Sequence, residues 1–354
     1  MMVFDDLGGQ LKNISRYLTP VRLVSAILAL TLLGVGGWAL WLWSYGVSPI
    51  PIPESAEVQI YIPPQTTFSG IRKVLVENRL IRNDRRFYQL AKFYKLTEKL
   101  KAGEYLFSPG LTHYQLLRAL EKGATIQRPV TVPEGANIYQ VADILAGGGW
   151  VERELFLDKV RDKAVVAAFK VQGESLEGYL FPDTYHLTRG QSAMEIIAMM
   201  VERGRQVRAQ LGDLADNELK LSPHEVIILA SIVEKETGVG EERPLIARVF
   251  LSRLKRKMRL QADPTVIYGL ADFDGNLTKR DLLAITPYNT YQIRGLPAGP
   301  IANPGRAAIA AVLHPALESY LYFVSKNDGG HYFSKTLAEH NRAVRKYQKS
   351  KRYR

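Results

Sequence analysis

Glu234 and Glu236 stand at the end of an apolar run, VIILASIV (226–233), and they are the chain's clearest candidates for acid–base chemistry. A segment that is apolar all round is buried on most of its faces. A carboxyl group at the end of such a segment is partly desolvated, and desolvation favours the protonated form that a general acid needs near neutral pH. Glu236 follows two residues later, about 200° round a helix, so the two side chains diverge and do not form a facing pair. On pattern alone, a solvated helix end carrying Glu234, Lys235 and Glu236 accounts for the same residues.

Other chemistries lack their residues. The chain has no cysteine, which excludes a thiolate nucleophile, a thiolate metal site and a disulfide framework. His224-Glu225 begins an H-E-x-x-H pattern but has no second histidine, and the six histidines do not cluster at ligand spacing. No G-x-S-x-G occurs, and no Gly-rich phosphate loop lies outside the long apolar segment near the N-terminus. Neither a metal nor another cofactor is therefore expected. Three stretches mix short polar side chains with aromatic ones, as a sugar cleft would: Gln261, Asp263, Thr265 and Tyr268 in the first, Asn289 and Tyr291 in the second, Tyr179 and Asp183 in the third. Taken singly, each also reads as an ordinary buried turn.

The elements that must position these residues are partly legible. Ser222-Pro223-His224-Glu225 combines an N-cap serine, proline at the first helical position and glutamate at N3, so a helix begins there and carries both glutamates to a stop near Gly238. A second helix is predicted over 244–257, with Leu245, Val249 and Leu254 on its apolar face and basic residues opposite. Residues 286–305 form a Pro/Gly-rich loop, and YLYFVSK and HYFSK flank Asn327-Asp328-Gly329-Gly330 as a hairpin. A weak internal echo relates Ile62-Pro63-Pro64 to Val132-Pro133-Glu134-Gly135 and GEYLF (103–107) to GYLF (178–181). Each copy reads as strand, helix, helix, strand, followed by a further helical run.

Residues 23–45 contain no charge and are long enough to cross a hydrocarbon core of about 30 Å. Trp38, Trp41, Trp43 and Tyr45 crowd the far end, where amphipathic rings prefer a membrane interface. Lys12, Arg16 and Arg22 precede the segment, and no Lys or Arg follows until Arg72, so the positive-inside rule puts residues 1–22 in the cytoplasm and the remainder outside. The segment exceeds a signal peptide's apolar core and reads as a retained anchor. Residues 46–56, with Pro49, Pro51 and Pro53, read as a semi-rigid linker lifting the outer domains off the bilayer. With 354 residues, 46% of them hydrophobic, the chain can bury about two domain cores. Its net charge of +12 favours anionic partners, and the external topology argues against nucleic acid. Residues 346–354 form a basic tail.

Taken together, LEGYLFPDTY (176–185), LASIVEKET (229–237), LQADPTVIYG (260–269), PYNTYQIRGLPAGPIANPG (287–305), LHPA (313–316), YLYFV (320–324) and GGHYFSKTLAEHN (329–341) resemble the YceG-like endolytic murein transglycosylases. The match runs in order over nearly the whole chain. The resemblance implies an α+β fold with an N-terminal transmembrane helix, a small LysM-like α+β domain over 57–125 and a larger α+β catalytic domain over 126–345. It also implies that Glu234, the first glutamate of V-E-K-E-T, is the catalytic acid and base, acting without a metal. The implied reaction cuts the MurNAc–GlcNAc bond of nascent peptidoglycan strands, leaves 1,6-anhydroMurNAc ends and so stops strand elongation. Gln261, Asp263, Thr265, Tyr268, Asn289, Tyr291, Tyr179 and Asp183 are the candidate substrate-binding residues. The expected location is the bacterial inner membrane, single-pass, with the catalytic part periplasmic. Glycan strands, the membrane and peptidoglycan synthases are the expected partners. Two departures from the family pattern are Ala262, where threonine is common, and Gln65, near which glycine is typical. The competing reading is a non-catalytic wall-binding or divisome scaffold protein.

Overall fold

The computed structural model describes residues 20–53 and 55–349. It mixes helices with three antiparallel strand pairs and divides into two compact units. The first comprises the described residues up to Ile126 with Thr188–Gly190, and the second comprises 127–187 and the described residues from Gln191 onward.

In the first unit a long helix, α1 (Pro20–Val47), is followed by β1 (Val58–Ile62), α2 (Phe68–Glu77), α3 (Arg86–Phe93), β2 (Gly103–Phe107) and α4 (His113–Lys122). β1 and β2 pair antiparallel, with Ile60 opposite Tyr105. Most of α1 is exposed, and Arg22–Val47 has mean hydropathy 2.1, long and apolar enough to cross a membrane. Its last turns differ. Leu42 and Tyr45 are buried in one core with Ile60, Leu75, Phe87 and Leu117.

The proline-spaced stretch after α1, read from its composition as a semi-rigid linker, packs into the first unit. Ile50 and Ile52 are buried, Pro49 bridges to Thr112, and the Ile50 N–H donates to the Leu111 carbonyl. The isoleucines between the prolines decide this: burying two large apolar side chains outweighs the extension that proline imposes. Ile50 and Ile52 therefore belong to the first unit's core instead of to a stretch that runs free of it.

The second unit repeats the element order of the first. β3 (Arg128–Thr131), α5 (Ile138–Gly147), α6 (Arg153–Arg161) with the short α7 (Lys163–Ala168), β4 (Thr184–Leu187) and α8 (Ala193–Gln210) again give strand, helix, helix, strand, helix. β3 pairs antiparallel with β4. Gln65 and Gly135 occupy equivalent turns after the first strand of each copy, and both have positive φ, 60° and 75°. Glycine adopts that conformation without strain, which explains why glycine suits the position that Gln65 fills.

The rest of the unit is built on α9 (Pro223–Glu236). Ser222 and Glu225 close the capping box foreseen from the sequence, and every residue from Val226 to Glu234 is buried. α10 (Arg243–Lys255) and α12 (Arg306–Leu313) pack on α9, and α11 (Asp263–Gly269) lies against it. β5 (Tyr322–Ser325) and β6 (His331–Ser334) form the expected hairpin, before α13 (Leu337–Val344) and a π-helical turn, Arg345–Lys349.

Candidate active site

Glu234 closes the buried face of α9, and its side chain is only 4% exposed. Arg243, at the start of α10, places Nη2 2.8 Å from Oε1 of Glu234. The backbone N–H of Gly305 donates to Oε2 at 2.9 Å. Gly305 is the N-cap of α12, so this N–H comes from a helix start, where backbone donors lack intrahelical partners. Glu234 is thus gripped by elements far apart in the chain.

Sequence reasoning did not foresee a third participant. Glu134, in the turn between β3 and α5, brings Oε2 to 3.5 Å from the same Nη2 of Arg243. Its side chain is half exposed. Burial, and secondly the charge of Glu234, push the Glu134 carboxyl above its usual range, while Arg243 opposes the rise. Two carboxylates therefore share one guanidinium, and Nε of Arg243 is itself buried without an acceptor. Gly305 is needed here for space: a methyl group at 305 would overlap the Glu134 carboxylate. Pro133-Glu134-Gly135 stood out in the sequence as part of the internal echo, but nothing local places it beside a residue a hundred positions later.

The turn carrying Glu134 and the loop carrying Gly305 are locked together by Asn303 and Glu177. The Asn303 N–H donates to the Ala136 carbonyl, and the Gly135 N–H donates to the Asn303 carbonyl. Glu177, 2% exposed, accepts from the Ile138 N–H at 3.0 Å, the Tyr268 hydroxyl at 3.0 Å and Nδ2 of Asn303 at 3.2 Å. Burial pushes the Glu177 carboxyl up to about 7, against the pull of these donors. Glu177 stood in plain view in LEGYLFPDTY, yet a lone glutamate between Leu and Gly carries no local sign of a buried partner set.

The residues expected to bind substrate divide. Thr265 and Asn289 are fully buried. Thr265 donates to the Ala262 carbonyl and meets Thr290, while Nδ2 of Asn289 serves the carbonyls of Asp281, Leu282 and Ala284 and its Oδ1 accepts from Tyr291 N–H. In this structure their hydrogen bonds brace loops, and neither side chain reaches the surface. Tyr268 bonds Glu177, Tyr179 is buried against Nδ1 of His224 at 2.8 Å, and Asp183 pairs with Arg203 at 2.6 Å. These three also act within the fold.

Gln261 and Asp263 are exposed and Tyr291 is half-buried, and the Tyr291 hydroxyl donates to Oδ1 of Asp263 at 2.6 Å. Glu236 lies in the electrostatic reach of Asp263, Tyr291 and Arg253. The divergence of Glu234 and Glu236 therefore holds, but Glu236 does not face empty solvent. Burial, and secondly Asp263, push its carboxyl up to about 8.

Among the described residues, no group of three or more His, Cys, Asp or Glu side chains is arranged to hold a metal ion. The site instead consists of a nearly sealed carboxylate between a guanidinium and a helix-start N–H, with a second, more exposed carboxylate beside it. This is equipment for proton transfer by side chains.

The pattern of the YceG-like family matches residues 60–346, and the chain belongs to that family. It is 34% identical, over 87% of its length and 90% of the relative's, to a Bacillus subtilis (strain 168) protein named endolytic murein transglycosylase. A Streptococcus pneumoniae (strain D39) protein of the same name is 30% identical over 93% of this chain, which spans 65% of that relative's length. A crystal structure of a yceG-like protein from Listeria monocytogenes is similar with a TM-score of 0.56 at 35% identity, covering 81% of this chain and 99% of that one.

Proposed function

We propose that this protein is a membrane-anchored lytic transglycosylase that cuts peptidoglycan glycan strands, with Glu234 as acid and then base. The observation that carries the reading is the grip on Glu234 at the end of a buried helix, 2.8 Å from Arg243 and 2.9 Å from the Gly305 N–H. The names of the relatives support the substrate class.

Glu234 gives its proton to the oxygen between N-acetylmuramic acid and N-acetylglucosamine, and the C1–O bond breaks. The carboxylate left behind finds two donors already in place, so little reorganisation is needed as charge develops. The muramyl acetamido group steadies the oxocarbenium-like centre. The muramyl C6 hydroxyl then attacks C1 and returns its proton to Glu234, leaving a 1,6-anhydro end. No water is consumed, which removes the need for the second carboxylate of ordinary glycosidases. Glu134 shares Arg243 with Glu234 and so moderates how strongly that cation holds the acid. Gln261, Asp263 and Tyr291 are the exposed positions proposed to orient the glycan.

α1 anchors the chain in the cytoplasmic membrane with both units outside, on the charge asymmetry carried by Arg22 and by Lys12 and Arg16, which lie outside the described residues. The strand–helix–helix–strand order of the first unit supports a LysM-like glycan-binding role for 57–125. Peptidoglycan synthases are the proposed partners, since cutting nascent strands requires proximity to their source. If the first unit binds glycan, a chain lacking 57–125 will cut long strands more slowly than the full chain; equal rates assign that unit another role.

The proposal is tested by digesting uncrosslinked glycan strands in ¹⁸O-water and analysing products by mass spectrometry. A transglycosylase gives anhydro ends without solvent oxygen. Products carrying one ¹⁸O at C1 would mean a hydrolase, and intact strands would mean a scaffold.

A further inference from the structure

Trp38 belongs to the apolar run of α1, yet it touches the globular part of its own unit. Its Nε1 donates to Oε1 of Gln89 at 3.3 Å, and its ring meets that of Phe93 edge-on with centroids 6.1 Å apart. Trp38 lies nine residues before the end of α1 at Val47, about 14 Å back along the helix. α3 therefore reaches well down the side of the helix that would cross the membrane. A hydrocarbon core of about 30 Å beginning at Arg22 extends about twenty residues, to the level of Leu42. Trp38 and Phe93 then fall at or just below its outer edge.

The surface of α3 fits that depth. Tyr88, Phe93 and Tyr94 are 42%, 58% and 42% exposed, a concentration of large rings that water would penalise. Lys92 and Lys95, both exposed, flank Phe93 and Tyr94. Aromatic rings with interspersed cations are the composition that settles into a headgroup layer, rings toward the acyl boundary and ammonium groups toward lipid phosphates. Between α1 and the unit runs a groove of about 740 Å³, walled by Trp38, Trp43, Leu90, Phe93, Tyr94 and Tyr114. One wall of the groove is α1 itself, so a bilayer crossed by α1 would bring its lipid directly to the groove.

We propose that the first unit is seated in the headgroup layer of the bilayer that α1 crosses, with Tyr88, Phe93 and Tyr94 immersed and phospholipid filling the groove. The inference rests on the reading of α1 as a span. It holds the unit at the membrane surface and fixes which of its faces is left for glycan.

The absence of cysteine makes the test direct. Single cysteines replace Leu30, Tyr88, Phe93 or Leu106 in the full chain, carry a nitroxide, and are examined in vesicles of phosphatidylcholine and phosphatidylglycerol. Collision with oxygen, which concentrates in lipid, is compared with collision with a water-soluble nickel chelate. Leu30, on the exposed face of α1, reports the span, and Leu106, on β2, reports water. Oxygen exceeding nickel at 88 and 93, as at 30 and opposite to 106, is the expected result; Tyr88→Cys carries the test if Phe93→Cys fails to fold. Labels at 88 and 93 that behave like 106 while 30 reads lipid would overturn this inference and leave the span intact. A label at 30 reading water would remove the span and this inference with it.

Discussion

At the scale of single residues, the site turns on how Arg243 divides itself between Glu234 and Glu134. The Arg243 and Glu234 side chains are 14% and 4% exposed, so neither can be rescued by water if its partner is lost. Arg243→Ala should destabilise the protein by about 3 kcal/mol, the usual cost of stranding one member of a buried pair. Adding Glu234→Gln should recover much of that loss, and chemical denaturation of the four-member cycle in detergent measures the coupling. Additive losses would mean that the pair is incidental. Glu134→Gln tests the sharing itself. Removing that charge leaves Arg243 to Glu234 alone and takes a neighbouring anion out of the site. The rate of cutting should change while the melting temperature stays near that of wild type; an unchanged rate would leave Glu134 without a role in the acid's environment. Glu234 was legible because the apolar run, the cap and the V-E-K-E-T resemblance all marked it. Glu134 and Arg243 were not, because a cation and an anion acquire meaning only when folding brings them within hydrogen-bonding distance.

At the scale of elements, the helices declared themselves and the loops did not. Ser222-Pro223-His224-Glu225 marked the start of α9 because a cap is a local contract between a side chain and the backbone three residues on. The hairpin at Asn327–Gly330 was equally local. Residues 286–305 could be read as a loop, but the burial of Asn289 and Thr265 was not legible, because polarity in sequence does not distinguish a side chain facing a cleft from one bonded to neighbouring carbonyls. Glu177 is the extreme case, a charged residue type wholly inside the protein, clamping the loops that deliver Glu134 and Gly305. Its carboxyl titrates near 4.5 when unfolded and at about 7 when folded. The folded state therefore binds its proton more tightly, and the stability this confers is complete below the unfolded value and lost as pH rises through about 7. The shift corresponds to on the order of 3 kcal/mol. The melting temperature should fall between about pH 5 and about pH 8, with Glu236 acting in the same direction at the upper end. In Glu177→Gln the slope should flatten, from a lower starting point because one donor loses its acceptor. An unchanged slope would place the titration elsewhere.

At the scale of the whole molecule, the sequence carried the repeated strand–helix–helix–strand order and the apolar first helix, because periodicity and length survive without knowledge of contacts. It concealed that α1 ends inside a globular core, since burial of Leu42, Tyr45, Ile50 and Ile52 depends on partners as distant as Leu117. Both units serve a single claim, that one glutamate, delivered by a buried helix and presented to glycan outside the membrane, does the cutting. Glu236 makes the test exacting, because it shares the helix, also sits in a desolvated setting and is flanked by Asp263. The deciding measurement is the amount of anhydro product formed from uncrosslinked glycan strands by the full chain, by Glu234→Gln and by Glu236→Gln, each shown to be folded by its melting temperature. The loss expected for Glu234→Gln is at least about 10⁴-fold, the upper range for a general acid–base group, with Glu236→Gln much less affected. A folded Glu234→Gln protein that keeps a substantial share of wild-type activity, or a Glu236→Gln protein that proves the more damaged of the two, would contradict the account.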